Sequence, residues 1–459
     1  MKADFHIPSA IKIFGQVLRR NLLAVSFISL ALFCPVVSGK TTRPESAPPR
    51  VRVSIADFGA VGDGKTLNTS NIQTAIDHLA SSGGGTLVVP EGVFLSGAIF
   101  LKPGVNLDLE RGAVIKGSTD KKDYPKLKTR VEGHFEEWLP ALINADKCDH
   151  LRITGSGTLD GSGRIFYAAF WKARRADARV TNLAVERPRL ALIQNSDDVQ
   201  IRGITFKDSG FWNLHLYRCK NVTVENDRFE VPDGIKCPST DGTDVDSCQN
   251  ITIRGCSYRV DDDCICLKGS KGPFAMDDKE SPPVEHIRVE NCIFERGGGV
   301  VTLGSEATIV RDVVVENCRV TGPVNVAVLK LRPDTAQHYE DIHYRNITLD
   351  NASKAILDVK PWRQFFDLKG QPPPNSVVKN ISLSDIKGTF GSFGVIQGNP
   401  GQTEISDITL KNIDVKLNDG ELIADSIKNF KVENVTVNGK PFSLPPPGGH
   451  GNPGVFQKD

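Results

Sequence analysis

QNITIRGCSY, residues 249–258, is one copy of a ten-residue pattern that recurs along most of the chain. It reads DDVQIRGITF at 197, KNVTVENDRF at 220, EHIRVENCIF at 285, RDVVVENCRV at 311, EDIHYRNITL at 340, SDITLKNIDV at 406 and KNFKVENVTV at 428. Weaker copies are DHLRITGSGT at 149 and VKNISLSDIK at 378. Each copy opens on a polar residue, alternates, breaks at Asn or Gly, and alternates again. Alternation predicts strands with one buried face, and the central Asn or Gly marks a bend between two short strands. The copies start about 22 to about 39 residues apart. Fixed strand motifs with loops of varying length predict a solenoid, because a single unit buries its apolar face only against a neighbouring one. The expected fold is all-β: a right-handed parallel β-helix of about ten coils. A β-propeller needs four strands per blade and a more regular period, and a β-sandwich leaves the recurring Asn unexplained.

Composition agrees. The 42 Gly and 27 Pro, against 7% aromatic residues, favour strands and turns, while 39% hydrophobic content supplies a core. A net charge of +1 excludes nucleic-acid binding through bulk charge. Ahead of the coils, Ile72, Ala75, Ile76 and Leu79 form the apolar stripe of a helix from Asn71 to Ser81. That helix is expected to cap the first open coil. At the N-terminus, Lys2, Lys12, Arg19 and Arg20 precede the apolar run LLAVSFISLALFCPVV and small residues at Ser38 and Gly39. This predicts a signal peptide over 1–39, the run being short for a membrane span. A linker over 40–50, one domain over 51–440 and a disordered Pro/Gly-rich tail over 441–459 follow. The mature protein is expected to be secreted or periplasmic, monomeric and free of the membrane. It retains nine cysteines, an odd number that leaves at least one unpaired. Cys256, Cys292 and Cys318 share one place in the repeat, where an inward thiol acts as a small hydrophobe. One or two disulfides elsewhere remain open, and no CxxC pair suggests zinc.

The repeat then gathers acids. Asp241 precedes the copy at 249, and Asp262 and Asp263 follow it, so adjacent turns, about 4.8 Å apart, bring these carboxylates to the same bend. Clustered carboxylates raise one another's pKa. A pair roughly 6.5–9.5 Å apart, one protonating the leaving oxygen and one activating water, is how inverting glycosidases work. Asp244 and Asp246 fit turn or wall positions as well as chemistry. Later coils bring Glu306, then Lys330 and Arg332, cations suited to holding an anionic sugar. Trp212, Asn213 and His215 lie one coil before Asp241. A cleft-facing Trp stacks on a pyranose and a His bonds a hydroxyl, with core packing the alternative. The long loop KPWRQFFDLKGQPPP places Trp362 and Arg363 as a wall over the cleft.

These stretches resemble glycoside hydrolase family 28, the polygalacturonase family, over roughly residues 52 to 440. The resemblance rests on ADFGAVGDGKTLNTSNIQTAID, RVEGHFEEWLPALINA at 130, GSGTLDGSG at 155, RPRLALIQNSDDVQI at 187 and SGFWNLHLYRC at 209. The family signature is Asn-Thr-Asp, Asp-Asp, Gly-His-Gly and Arg-Ile-Lys. Here Ser239-Thr240-Asp241 and Asp262-Asp263 match the first two. The resemblance implies a β-helix, hydrolysis of pectic polysaccharide with inversion, Asp262 as general acid, Asp241 and Asp263 activating water, and no cofactor or metal. Gly298-Gly299-Val300 stands where Gly-His-Gly is expected, and Lys330-Leu331-Arg332 where Arg-Ile-Lys is expected. The missing histidine turns the expectation toward rhamnogalacturonan-type or substituted pectins as alternatives to homogalacturonan, with Glu306 placed to replace part of the lost function. Two other classes compete: a calcium-dependent polysaccharide lyase, with acids as oxygen ligands, and a glycan-binding β-helix without catalysis.

Overall fold

Left-handed backbone at two positions of each ten-residue unit turns the expected strands into a coil. The central residue is one: Asn226 at φ 58°, Gly255 at 64°, Asn291 at 56° and Asn346 at 51°. The second residue of the unit is the other: Asp198 at 53°, Asn221 at 53°, Asn250 at 59° and Asp312 at 53°. Asn, Asp and Gly enter this region at little steric cost. These bends also stack, with the Asn250 amide donating to Asn221 at 3.1 Å and the Asn346 amide to Asn317 at 2.7 Å.

The computed structural model describes residues 51–351 and 353–444. One 31-stranded sheet is wound on itself. Successive turns pair in parallel: Gln249–Arg254 lies between Lys220–Glu225 and Val284–Glu290, with Ile251 opposite Val222 and Ile287. The coil begins before the first repeat copy, at Arg52–Ser54, Gly85–Val89 and Val105–Leu109, so it has more turns than the ten or so expected. Those early turns lack the Asn bends that made later ones legible.

Inward residues stack from turn to turn. Phe206, Phe229, Tyr258 and Phe294 form a column of nearly parallel rings 4.8, 4.8 and 5.3 Å apart. The nine cysteines among the described residues are all free and buried, which corrects the open expectation of one or two disulfides. Thiols of Cys256, Cys292 and Cys318 instead fill the core and lean on backbone carbonyls.

The expected helix is Thr69–Ser81, its four stripe residues fully buried against Gly85–Val89 and Ile99–Leu101. A second helix, Arg164–Ala176, was not expected; its amphipathic stripe buries Phe166, Tyr167 and Phe170. The signal segment and linker lie outside the described residues, as does the tail beyond Leu444. The tail boundary needs correction, because Lys440–Pro441 pairs with Ile427–Val437 and Phe442 stacks on Phe393 at 4.8 Å. Among the described residues, no helix is long and apolar enough to cross a membrane.

Replacing an inner ring of the aromatic column, Phe229→Ala, is expected to cost about 3–5 kcal/mol in chemical denaturation. A cost under about 1 kcal/mol would show that the column does not hold the coils together.

Candidate active site

One stack of strands carries the site: Leu214–Tyr217, Thr243–Asp246, Ile265–Lys268, Gly299–Leu303 and Asn325–Leu331. Its register sets Thr243 opposite Ile265, so the bends before these strands stack as well. The Gly242 amide donates to the Asp263 carbonyl at 2.9 Å, which fixes Asp241 and Asp263 on adjacent turns. One carboxylate oxygen from each of Asp241, Asp262 and Asp263 lies within 4.8 Å of the others. This is tighter than the span expected from the sequence.

The three acids are held differently. Asp263 accepts from Lys330 Nζ at 2.6 Å and from Thr302 Oγ1 at 2.7 Å. Asp241 lies 3.2 Å from Lys268 Nζ. Burial raises the Asp241 carboxyl and Lys268 opposes that shift. Asp262 has no cation within ion-pair distance among the described residues. Burial, then the charges of Asp241 and Asp263, push it up to about 7. Two carboxylates neutralised by lysines thus flank one poised to keep its proton, the division of labour that acid/base cleavage needs.

Lys268 is the hub that the sequence reading missed. It also approaches Asp244 at 3.3 Å and Glu306 at 3.9 Å, and it sits 4.6 Å from the Trp212 ring centre. Strand alternation was the available signal: in Ile265–Lys268, Ile265 and Leu267 belong to the core, leaving Cys266 and Lys268 on the other face. Asp244 is fully buried, and that burial, with the charge of Asp241, pushes its carboxyl well above the usual range. Burial would raise Glu306 also, but Lys271, Lys268 and Arg332 hold it well below the usual carboxylate range.

The cavity is lined by Asp241, Asp262, Asp263, Glu306, Lys330 and Arg332 from the coils, and by Trp212. Glu132 reaches it from the hairpin Leu127–Val131 and His134–Trp138, and Trp362, Gln364 and Phe365 from the long loop. Arg363 does not line it. Two expectations are corrected. Asn213 and His215 do not reach the cleft, being fully buried. The Asn213 amide donates to the Asp241 carbonyl at 2.9 Å and so positions that residue's backbone. His215 receives a hydrogen bond from Arg189 on Nδ1 at 2.8 Å, leaving its proton on Nε2, 3.5 Å from Asp246. Burial lowers its pKa to about 4. Nor do Lys330 and Arg332 stand free for an anionic group. Lys330 is on Asp263, and Arg332 grips Asp334 in a two-pronged pair at 2.8 and 2.7 Å. The remaining Arg332 donors reach the Gln364 and Phe365 carbonyls, so this residue anchors the loop.

At the glycine run, a Cβ on Gly298 would meet Asp263 Oδ1 at 2.7 Å, and one on Gly299 would meet Thr302 Oγ1 at 2.5 Å. The Thr302–Asp263 bond fills the space that a side chain at either position would take. Below the site, Asp246 pairs with Arg130 of the hairpin at 3.1 Å. Burial would raise Asp246, but Arg130 and His215 hold it low.

A parallel β-helix with a carboxylate cluster in a cleft over its strands has the makings of a polysaccharide-cleaving enzyme. Residues 83–440 match Glycosyl hydrolases family 28, and the chain belongs to that family of O-glycosyl hydrolases. It is 28% identical over 375 residues to a probable polygalacturonase of Vitis vinifera, covering 79% of this chain and 74% of that one. It is 27% identical over 450 residues to an exo-poly-alpha-D-galacturonosidase of Dickeya chrysanthemi, covering 86% and 67%. In fold it is similar to an exopolygalacturonase from Thermotoga maritima, with a TM-score of 0.67 at 24% identity over 86% of this chain and 93% of that one.

Asp246→Ala takes from Arg130 its buried carboxylate and leaves it Asp278 at 3.5 Å. It is expected to lower stability by about 3–5 kcal/mol in denaturant titration. An unchanged midpoint would show that the hairpin is held by other contacts.

Proposed function

We propose that this protein hydrolyses α-glycosidic bonds of pectic polysaccharide with inversion, acting from chain ends, outside the cytoplasm. The observation that carries the reading is the unequal treatment of the three acids. Asp262 gives its proton to the leaving oxygen, while Asp241 and Asp263, each lying against a lysine, jointly polarise a water. Their close spacing alone would also suit a nucleophilic carboxylate. Against that, Asp263 has both oxygens engaged, one by Lys330 and one by Thr302, which favours holding a water over attacking the sugar. The hairpin and the long loop around the cavity favour a pocket for a chain end over an open groove. The apolar run after the four N-terminal cations supports export.

The lyase reading is weaker because carboxylate oxygens of Asp241 and Asp263 that a divalent cation would need already face lysines. Hydrolysis gives products without ultraviolet absorbance and survives chelator; a lyase does neither. A binding-only protein would leave pectic polymers uncut.

Asp262→Asn is expected to fold normally and to lose about 10²–10⁴-fold in turnover, read as reducing ends released from polygalacturonic acid and rhamnogalacturonan. Retained activity would remove Asp262 as the acid. Proton NMR of the first product should show the inverted anomer, and the retained anomer would overturn the water-activating role. With Asp262 raised to about 7, the acid stays protonated below that pH. The wild-type kcat/KM should therefore fall as pH rises through about 7. A rate still climbing above this point would refute the assignment.

A further inference from the structure

Arg187 is fully buried, and among the described residues no carboxylate lies within ion-pair distance of it. Its guanidinium sits between the rings of Phe170 and Phe211, 4.6 Å from each centre. The hydrogen-bond partners are all neutral. Nη1 donates to the Pro238 carbonyl and, at 3.4 Å, to that of Gly210. Nη2 donates to the Asn182 carbonyl at 3.2 Å and to the Ser239 hydroxyl at 3.1 Å. Nε has no hydrogen-bond partner. A buried charge is costly unless it is paired, and aromatic faces offset only part of that cost.

These contacts lead to the cleft. Pro238 and Ser239 form the bend just before Asp241, and Ser239 and Asn182 both line the cavity. Ser239 is in left-handed backbone at φ 56°, a conformation that Asn or Gly enters more readily. The Arg187 bonds to its hydroxyl and to the preceding carbonyl clamp the bend in that conformation. Beyond the bend, the Asn213 amide takes hold of the Asp241 carbonyl at 2.9 Å.

The charge reaches the cleft as well. Burial lowers Arg187 to about 9, while Glu132, Tyr167, Asp262 and Asp241 oppose that shift. The residue is therefore a cation at neutral pH. Attraction between charges is mutual, so Arg187 in turn draws these carboxyls toward ionisation. Glu132 has Lys271 beside it and Asp241 has Lys268, whereas Asp262 has no cation as near. On Asp262 the pull of Arg187 joins those of Lys330 and Lys268 against the charges of Asp241 and Asp263.

We infer, resting on the hydrolytic reading above, that Arg187 is a positioning residue of the cleavage: it clamps the bend that delivers Asp241 and turns its unpaired charge on Asp262.

The test follows the Asp262 carboxyl directly, so that it stands apart from turnover. The full chain is isotope-labelled at the aspartate carboxyl carbon, and the Asp262 signal in NMR is the one missing from Asp262→Asn. Its titration midpoint is compared in wild type, Arg187→Lys and Arg187→Met, each first shown to be folded by circular dichroism. In Arg187→Met the midpoint is expected to rise by about one pH unit, because a charge favouring the carboxylate is gone. The alkaline limb of kcat/KM should move up with it. Arg187→Lys should keep the midpoint but lose about tenfold in kcat, because one ammonium does not replace a planar fork on these acceptors. If Arg187→Met does not fold, Arg187→Gln, whose amide can donate to the Pro238 carbonyl, takes its place with the same expectation. A midpoint unmoved in the folded, uncharged variant overturns the inference, as does an unchanged kcat in Arg187→Lys. If the midpoint stays put while Asp262→Asn still abolishes turnover, the inference falls and the hydrolytic reading stands. A midpoint that rises in a protein whose wild type cuts no pectic polymer sinks the hydrolytic reading and leaves the action of Arg187 on Asp262.

Discussion

Everything in this molecule depends on the parallel ladder between successive turns. It sets neighbouring turns about 4.8 Å apart and repeats that spacing along the whole solenoid. A residue therefore meets the residue one turn later at nearly the same angle, whatever the intervening loop does. The insertion between Lys268 and Val284 shows this, since Ile265 still pairs with Val301 and Gln249 with Glu285. The same geometry aligns aromatic rings and thiols inside, Asn amides at the bends, and carboxylates over the cleft.

Alignment has an electrostatic consequence. Acids stacked at this spacing repel one another unless something intervenes, and most of these are withdrawn from water. Lysines from neighbouring turns intervene at Asp241 and Asp263, and Asp262 is left without one. The acid/base division thus follows from which turn contributes a cation and which does not. The same economy leaves each lysine or arginine that lines the cavity beside a carboxylate of the chain.

Two segments that are not coils complete the site, and each is tied down by a buried ion pair. Arg130–Asp246 anchors the hairpin that carries Glu132, and Arg332–Asp334 anchors the loop that carries Trp362. Buried pairs of this kind add little net stability compared with apolar packing, but they are directional. Here that direction fixes where the walls of the cleft stand.

The solenoid was legible in the chain because strand alternation and Asn bends are local properties, written out in every repeat. The convergence of Asp241, Asp262 and Asp263 was legible too, because a repeat copy separates them and the turn spacing does the rest. The sequence could not say which side chains would be spent on each other. Lys330 and Arg332 look alike in VLKLRPD, yet one lies against a cleft carboxylate and the other secures a loop 32 residues on. His215 and Asn213 look like cleft residues in FWNLH, yet both turn into a buried network closed by Arg189 and Asp241. Pairing and burial of this kind depend on distances between turns and loops that no single segment encodes, so only the tertiary structure decided them.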